Sequence, residues 1–254
     1  NSGSTTRVYD VFTDEVCRDI AIFNWDDHVE RNFKKPVDKS EWQISPQTVN
    51  AYYSPVTNEI CFPAAILQYP FFDMKGDDAF NYGAIGVVIG HEMTHGFDDQ
   101  GRQFNKEGNF ANWWTDEDSK SFNERTQVII DFFNKIEVLP GLNANGELTV
   151  GENIADHGGL TIAMQAFQNA TKENPLPVKD GFTPEQRFYL SYSNVWAGNI
   201  RDEEIRNLTK SDVHSLARWR VNGTLPHIDD WYTAFGITEK SPMFVPQEER
   251  LKIW

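Results

Sequence analysis

Alternating and helically spaced apolar positions predict a mostly helical chain with one short β-hairpin near its N-terminal third. Residues 48–53 and 58–62 are β-prone, and the four residues between them have the length of a hairpin connection. Helix start signals occur at Thr115, which three acidic residues follow, and at Thr183, which is followed by Pro184. The whole pattern predicts helices over residues 13–28, 82–98, 115–135, 152–170 and 183–199, with loops over 99–114 and 141–146.

The stretch over residues 82–98 differs from the other predicted helices because it is apolar almost all round. Such a helix is expected to be buried rather than amphipathic, and its glycines would permit close neighbours. It nevertheless carries ionisable side chains, in the string His91-Glu92-Met93-Thr94-His95. Ionisable groups on a buried helix are costly unless something compensates them, so this string is a candidate functional site.

The two histidines of this string have the spacing of metal ligands. Residues i and i+4 lie one above the other on the same helical face, so the imidazoles of His91 and His95 converge on one point. Glu92 is one step round the helix, beside the position that a metal would leave open, where it could take a proton from a water molecule. The pattern therefore predicts a zinc hydrolase site, and the alternative is a fortuitous pair of core histidines.

A catalytic zinc site needs a third protein ligand, and Glu152 is the best candidate. It lies at the start of the helix predicted over residues 152–170, among apolar neighbours. Asp156, four residues later on the same face, could accept the other N–H of a ligating histidine and fix its tautomer. On their own, a Glu and an Asp at this spacing are more typical of a solvated acidic face.

Composition narrows the classes of function further. The 254 residues carry 23 basic and 38 acidic side chains, a formal net charge of −15, so we expect no nucleic-acid partner. Two cysteines, Cys17 and Cys61, are too few for a disulfide framework. No apolar run reaches the roughly 18 residues that a membrane span needs, so we expect no membrane segment in this chain.

The candidate residues belong to a series of segments that resembles the zinc-bearing C-terminal lobe of the neprilysin-like (M13) family of metallopeptidases. This family includes endothelin-converting enzymes and bacterial oligopeptidases, and the cysteine-poor chain is more similar in character to the latter. The matching segments follow the family's order from residue 49 onward: Val49-Asn50-Ala51-Tyr52-Tyr53, Phe62-Pro63-Ala64-Ala65-Ile66-Leu67-Gln68, Gly90-His91-Glu92-Met93-Thr94-His95-Gly96-Phe97-Asp98-Asp99, Gly151-Glu152-Asn153-Ile154-Ala155-Asp156, and Asp212-Val213-His214 with Arg220 six residues on.

The resemblance implies an α+β fold, a predominantly helical, zincin-like (thermolysin-like) catalytic domain with a small β-sheet. It implies one Zn²⁺ ion held by His91, His95 and Glu152, with Glu92 as the general base. It also implies that Asp156 is the carboxylate behind the first zinc histidine. These roles agree with those that the spacing alone suggests.

Three further residues are candidates for the site, and for two of them the resemblance alone supplies the role. The resemblance implies that His214 stabilises the oxyanion and that Arg220 holds a backbone carbonyl of the substrate, which suits the rigid two-pronged guanidinium. Taken alone, His214 would be an ordinary loop histidine and Arg220 a surface charge. Asp98, three residues beyond His95, could orient that ring, and capping or simple exposure are the alternatives.

The implied substrate is an oligopeptide. Asn50 and Ala51 match the segment that pairs with the substrate backbone, so a peptide would bind as an added strand. The pocket for the residue after the scissile bond would be apolar and would prefer a bulky hydrophobic residue. Plain core packing is the alternative for each residue of this pocket: Ile66, Phe71, Val88, Val195 and Trp196.

Members of the family are longer, because a large helical N-terminal lobe closes over the zinc lobe. We expect that lobe to be absent here, with residues 1–45 as a remnant leading into a single domain over 1–254, so that the lobe would be missing or a separate partner chain. The first hypothesis is a zinc endopeptidase domain. The second is a zinc-bearing, peptide-binding lobe with little activity unless the missing lobe is supplied. The third, a metal hydrolase for a non-peptide substrate, is disfavoured by Asn50 and Ala51.

Overall fold

The computed structural model describes residues 35–253, together with Ile22 and Phe33. The chain divides into two units, residues 1–43 and 44–254. In the described part of the first unit, Asp38 accepts hydrogen bonds from the backbone and the hydroxyl of Ser40. The helix predicted over residues 13–28 lies, apart from Ile22, outside the described residues, and the single domain predicted over 1–254 stays a prediction. All the predicted site residues belong to the second unit.

The predicted β-hairpin is present. Strand β1 (Tyr52–Ser54) pairs antiparallel with strand β2 (Glu59–Cys61). The first strand is shorter than predicted because the chain before it turns, with the N–H of Asn50 donating to the carbonyl of Thr48. Asn50 and Ala51 therefore lead directly into β1.

A continuous helical run follows the hairpin and carries the H-E-x-x-H string. It begins four residues earlier than predicted, because the side chain of Asp77 accepts a hydrogen bond from the N–H of Phe80 and caps the helix. The run consists of α1 (Asp78–Asn81), a π-helical turn (Tyr82–Gly86), α2 (Val87–Thr94) and a 3₁₀ turn (His95–Phe97).

The prediction that this helix is buried all round is wrong for one face of α2. Ile89 and Met93, four residues apart, are 39% and 49% exposed. Val87, Gly90 and His91 are buried on the other side. An apolar pattern all round carries no information about which face a partner covers, so the sequence could not distinguish the two faces.

Three longer helices complete the predicted set. Thr115 accepts a hydrogen bond from the N–H of Asp118 as predicted, and Thr183 forms a full capping box with Gln186. The last of them ends at Val195 rather than at 199. The three are α3 (Asp116–Asn134), α4 (Val150–Thr171) and α5 (Pro184–Val195).

Several short elements were not predicted. The segment predicted as a loop over residues 141–146 contains the second strand of a small hairpin, whose turn uses Gly141 at a positive φ of 75°. The loop predicted over 99–114 is present and includes the 3₁₀ turn Gly101–Gln103. Among the described residues, no helix is long and apolar enough to cross a membrane. The unpredicted elements are β3 (Glu137–Leu139), β4 (Leu142–Asn143), α6 (Asp202–Ser211), α7 (Ala217–Asn222) and α8 (Asp229–Phe235).

Helices α2 and α4 pack against each other at two glycines. A Cβ on Gly90 would lie 2.9 Å from the Cα and carbonyl oxygen of Gly159. A Cβ on Gly159 would lie 2.7 Å from the carbonyl oxygen of Val87 and 2.8 Å from the backbone nitrogen of His91. The helices can come this close only because both positions lack a side chain, and the contact brings the histidine string of α2 against the start of α4.

Two buried histidines lie beneath the C-terminal segment. His227 Nδ1 accepts a hydrogen bond from the N–H of Leu251 at 3.0 Å, and the ring of Phe132 meets its ring edge to face. Burial lowers the pKa of His227 to about 3, with the charges of His157 and Arg250 acting in the same direction. Burial also lowers the pKa of His157 to about 4, against a smaller opposing effect of two backbone carbonyls and of Asp229.

Replacing Gly159 by Ala should separate α2 from α4. The added methyl group would meet backbone atoms of α2, which cannot rotate away as a side chain can. We therefore expect the free energy of unfolding to fall by about 1–3 kcal/mol. Gly198→Ala is the matched control, because no atom lies within 4 Å of the position its Cβ would take. Chemical denaturation checks both variants, and equal stability of the two would contradict the close crossing.

His157 and His227 should make the fold sensitive to acid. Both pKa values are lower in the folded state than the roughly 6.5 of an unfolded chain, so their stabilising contribution is complete above about pH 6.5 and is lost as the pH falls toward the folded values. As the pH falls from about 7.5 to about 5, each histidine that stays neutral in the folded state should lower the free energy of unfolding by about 2 kcal/mol.

The measurement is urea denaturation of the wild type, His157→Leu and His227→Gln across this pH range. Each variant serves as its own reference at high pH, so any loss of stability that does not depend on pH cancels. We expect each variant to show a shallower decline than the wild type. Parallel curves for all three proteins would show that the two histidines do not set the acid sensitivity.

Candidate metal and active site

One cleft of about 650 Å³ brings the sequence-predicted site residues together. Its walls come from the segment before β1, from α2, from the start of α4, from the end of α5 and from the chain between α6 and α7. All the residues predicted to act in metal binding, catalysis or substrate binding line it: Asn50, Ala51, Ile66, Phe71, Val88, His91, Glu92, His95, Glu152, Asp156, Val195, Trp196, His214 and Arg220.

The three predicted ligands point their donor atoms at one place. The Nε2 atoms of His91 and His95 are 2.9 Å apart. Glu152 Oε2 lies 3.2 Å from His91 Nε2, and Glu152 Oε1 lies 3.6 Å from His95 Nε2. Among the described residues, this is the group whose ligand atoms, all within 4.8 Å of one another, could hold a metal ion.

The outer nitrogens of both rings are already engaged. His91 Nδ1 lies 2.9 Å from Asp156 Oδ1, and His95 Nδ1 lies 2.7 Å from Asp98 Oδ2. Asp98 also accepts hydrogen bonds from the backbone of Gln100 and Gly101, so it both orients the ring and fixes the following turn. Carboxylates at Nδ1 favour the tautomer that carries its hydrogen there.

The donor set fits a cation. With the hydrogens on Nδ1, both Nε2 atoms present lone pairs to each other and to the carboxylate of Glu152, so three acceptors converge without a hydrogen between them. Glu152 Oε2 is buried and has no hydrogen-bond partner in this arrangement. Two imidazole nitrogens and one carboxylate oxygen are the ligands of a catalytic zinc site with one open position.

The site has a strongly negative potential. Burial opposes a charge on His91, yet the carboxylates of Asp156 and Glu152 raise its pKa to about 9. Burial likewise opposes ionisation of Glu152, but the neighbouring imidazoles of His91, His95 and His214 lower its pKa to about 2. A positive charge at this point is therefore favoured in spite of the burial.

Arg220 forms a buried ion pair with Asp156. Its Nε and Nη2 atoms donate to the two carboxylate oxygens of Asp156 at 2.8 and 2.6 Å, and both residues are buried. Burial alone would raise the pKa of Asp156, but the Arg220 charge and the hydrogen bonds from His91 and Arg220 hold it well below its usual range. The guanidinium lies 4.0 Å from the centroid of the Trp196 ring, and the Tyr192 hydroxyl donates to the Arg220 carbonyl.

Glu92 lies in the cleft beside the three ligands and is 6% exposed. Burial raises its pKa, while the positive charges of His91 and His95 act against this effect. A carboxylate with a raised pKa holds a proton more readily at neutral pH than an exposed one does. This property suits a group that accepts a proton and then passes it on.

His214 approaches the ligands from the chain between α6 and α7. Its Nδ1 lies 2.8 Å from Asp212 Oδ1, and its Nε2 lies 3.4 Å from Glu152 Oε1. The side chain is 46% exposed, so it faces the open part of the cleft. Sequence reasoning gave no role to Asp212, although its place two residues before a candidate histidine could have suggested the pairing.

The predicted substrate-binding residues all line the cleft, but their burial differs. Ile66 is only 2% exposed and packs with Ala51 in a core cluster, so for this residue packing is part of its role. Phe71 and Val88 pack against the same cluster and are partly accessible. The structure therefore places these residues together, and which of them touch a ligand stays a prediction.

Two supporting residues were missed. Sequence reasoning assigns no role to Tyr192 or to Ser215, although Ser215 directly follows His214. Ser215 Oγ donates to Asn153 Oδ1 at 2.7 Å, across 62 residues of chain. Only the helical spacing of Tyr192 and Trp196 gave a hint of the first, and nothing in the local pattern indicates the second.

Comparison with known proteins identifies the class to which this fold and site belong, the zinc metallopeptidases. The sequence model of peptidase family M13 matches residues 50–251. The chain therefore belongs to this family, whose members use one zinc ion.

Two similar proteins are both much longer than this chain. An endothelin-converting enzyme homolog of Locusta migratoria is 43% identical over 205 residues, which are 79% of this chain and 28% of that protein. Human neprilysin is 41% identical over 230 residues, 88% of this chain and 30% of that protein. The chain spans about a third or less of the length of these relatives.

Solved structures show the same fold. The zinc metalloprotease Zmp1 of Mycobacterium tuberculosis, in complex with an inhibitor, matches with a TM-score of 0.87 at 44% identity and covers 91% of this chain and 36% of that one. PepO from Lactobacillus rhamnosis matches with a TM-score of 0.78 at 34% identity, over 87% of this chain and 33% of that one. The predicted fold class, predominantly helical with a small sheet, is confirmed.

Asp156→Asn should weaken both the metal site and the fold. A neutral amide has only one acceptor oxygen and cannot balance the buried charge of Arg220, so we expect a loss of about 3–5 kcal/mol in stability and of about 10–100-fold in zinc affinity. Asp77→Asn is the matched control, because Asp77 also pairs with an arginine, Arg187, but outside the cleft and partly in solvent. Competition with a zinc chelator and chemical denaturation measure the two effects, and equal zinc affinity in both variants would contradict the role of Asp156.

Proposed function

We propose that this chain is a zinc endopeptidase domain that hydrolyses peptide bonds of oligopeptides, and that His91, His95 and Glu152 hold its single zinc ion. One observation carries the proposal. The ligand atoms of His91, His95 and Glu152 all lie within 4.8 Å of one another, and a buried carboxylate, Glu92, lines the same cleft. Membership of family M13 agrees with this reading.

The chemistry follows from the positions of the side chains. A zinc ion held by these ligands would polarise the scissile carbonyl and lower the pKa of a water molecule to about 7. Glu92 takes a proton from the attacking water and passes it to the leaving amine, for which its raised pKa suits it. The peptide bond is cut without a covalent intermediate, since no side-chain nucleophile is required.

His214 and Arg220 act on the substrate in this proposal. Asp212 accepts from Nδ1 of His214, so a protonated ring can donate from Nε2 to the oxyanion. Arg220 is held rigid by Asp156 and by the face of Trp196, and it holds a backbone carbonyl of the substrate.

The peptide would lie along Asn50 and Ala51 as an added strand, because this segment leads into β1 and lines the same cleft as the candidate ligands. The apolar wall around Phe71, Val88 and Trp196 supports a preference for a bulky hydrophobic residue after the scissile bond. This proposal concerns the site in this chain, because the chain spans only part of the length of its relatives.

Two substitutions separate metal binding from proton transfer. Glu152→Gln removes the ligand charge, so the purified protein should lose its zinc, which metal analysis measures against about one zinc per wild-type chain. Glu92→Gln keeps the shape of the base but cannot accept the proton, so we expect zinc to stay and kcat to fall about 10²–10⁴-fold. The assay uses a short peptide with a hydrophobic residue after the scissile bond.

The outcomes distinguish the hypotheses. A wild type that binds zinc and cleaves no faster than Glu92→Gln would reject the endopeptidase proposal for this chain and favour the peptide-binding lobe that needs a further lobe for turnover. Unchanged zinc content in Glu152→Gln would show that the ligand assignment is wrong. Faster cleavage of a peptide with a small polar residue at that position would overturn the proposed specificity.

A further inference from the structure

A single buried hydrogen bond joins the segment of the third ligand to the segment of His214. Asn153 follows Glu152 on α4, and Ser215 follows His214 in the chain before α7. Ser215 Oγ donates to Asn153 Oδ1 at 2.7 Å, and the two residues are 7% and 1% exposed. The two residues that make this bond are thus the direct neighbours of two residues that line the cleft.

The orientation of the Asn153 amide is fixed from its other side. Its Nδ2 donates to the hydroxyl of Thr149 at 3.0 Å, and that hydroxyl donates to the carbonyl of Asn145 at 2.9 Å. Since the amide nitrogen is engaged within the start of α4, the oxygen faces Ser215. The acceptor for Ser215 is therefore attached to the same rigid helix that presents Glu152.

His214 needs such an anchor because its surroundings are open. Its side chain is 46% exposed, and its partner Asp212 is 33% exposed. The helix before this segment, α6, has no buried residue, so it provides little packing to hold the segment in place. Among the described residues, the buried hydrogen bond from the Ser215 hydroxyl connects the residue next to His214 with α4.

We propose that Asn153 and Ser215 are positioning residues that set the distance of His214 from Glu152, and therefore from the reacting carbonyl. The kinetic part of this inference rests on the proposed function. The structural part, that the bond fixes the His214 ring, does not depend on it. A misplacement of about 1 Å in a group that acts on the transition state can cost on the order of 100-fold in rate, so losing one anchor should have a measurable effect.

The test compares Ser215→Ala with Ser191→Ala in the zinc-loaded protein. Ser191 is a matched control, because it is also buried and its hydroxyl also donates to one oxygen, the carbonyl of Phe80, but it does not line the cleft. We expect Ser215→Ala to lower kcat about tenfold with KM within twofold, Ser215→Thr to restore most of it, and Ser191→Ala to leave kcat unchanged. On a His214→Ala background, Ser215→Ala should cause no further loss.

A second readout does not use activity. The chain has six histidines, and the ring signals of His214 in an NMR spectrum of labelled protein can be assigned by their loss in His214→Gln. Ser215→Ala should shift or broaden these signals, whereas Ser191→Ala should not.

The two readouts fail in different ways. Unchanged His214 signals, or a full additional loss of kcat on the His214→Ala background, would overturn the positioning role. If the wild type cleaves no peptide, the proposed function fails, and the NMR comparison still decides whether Ser215 fixes His214.

Discussion

The close crossing of α2 and α4 is the constraint on which the rest of the site depends. Gly90 and Gly159 let the two backbones approach until an added Cβ would touch the other helix. At that separation the histidine face of α2 meets the first turns of α4, which supply Glu152 and Asp156. A wider spacing would leave the Nε2 atoms and the carboxylate too far apart to share one cation, since ligand distances near 2 Å leave little tolerance.

Charge balance is the second constraint, and it explains why so many ionisable groups can be buried together. With neutral imidazoles, the four carboxylates and one guanidinium around the ligands sum to −4 + 1 = −3, and a divalent cation would reduce this to −1. Asp156 is compensated by Arg220, whereas Glu152 Oε2 has no hydrogen-bond partner. The groups in this sum are Glu92, Asp98, Glu152, Asp156 and Arg220.

Features set by residues close together in the sequence could be predicted, and features set by distant residues could not. Local signals fixed the cap positions Thr115 and Thr183, and residue spacing within one helix predicted that His91 and His95 share a face. The end of α5 at Val195 and the short helices beyond it could not be read from the pattern, because helices of this length are stabilised by packing and not by their own propensity. The bond between Ser215 and Asn153 spans 62 residues, so no local pattern encodes it.

The same potential that raises the pKa of His91 to about 9 would hold a cation, and this links metal binding to the fold. A proton on His91 Nε2 and a metal ion are alternative occupants of one lone pair, so the two compete, and the negative charge of Asp156 and Glu152 favours both. A dication is the stronger partner because it engages all three acceptors at once, whereas a proton satisfies only one of them. The site is thus arranged for the metal by its geometry, while its charge alone would accept either.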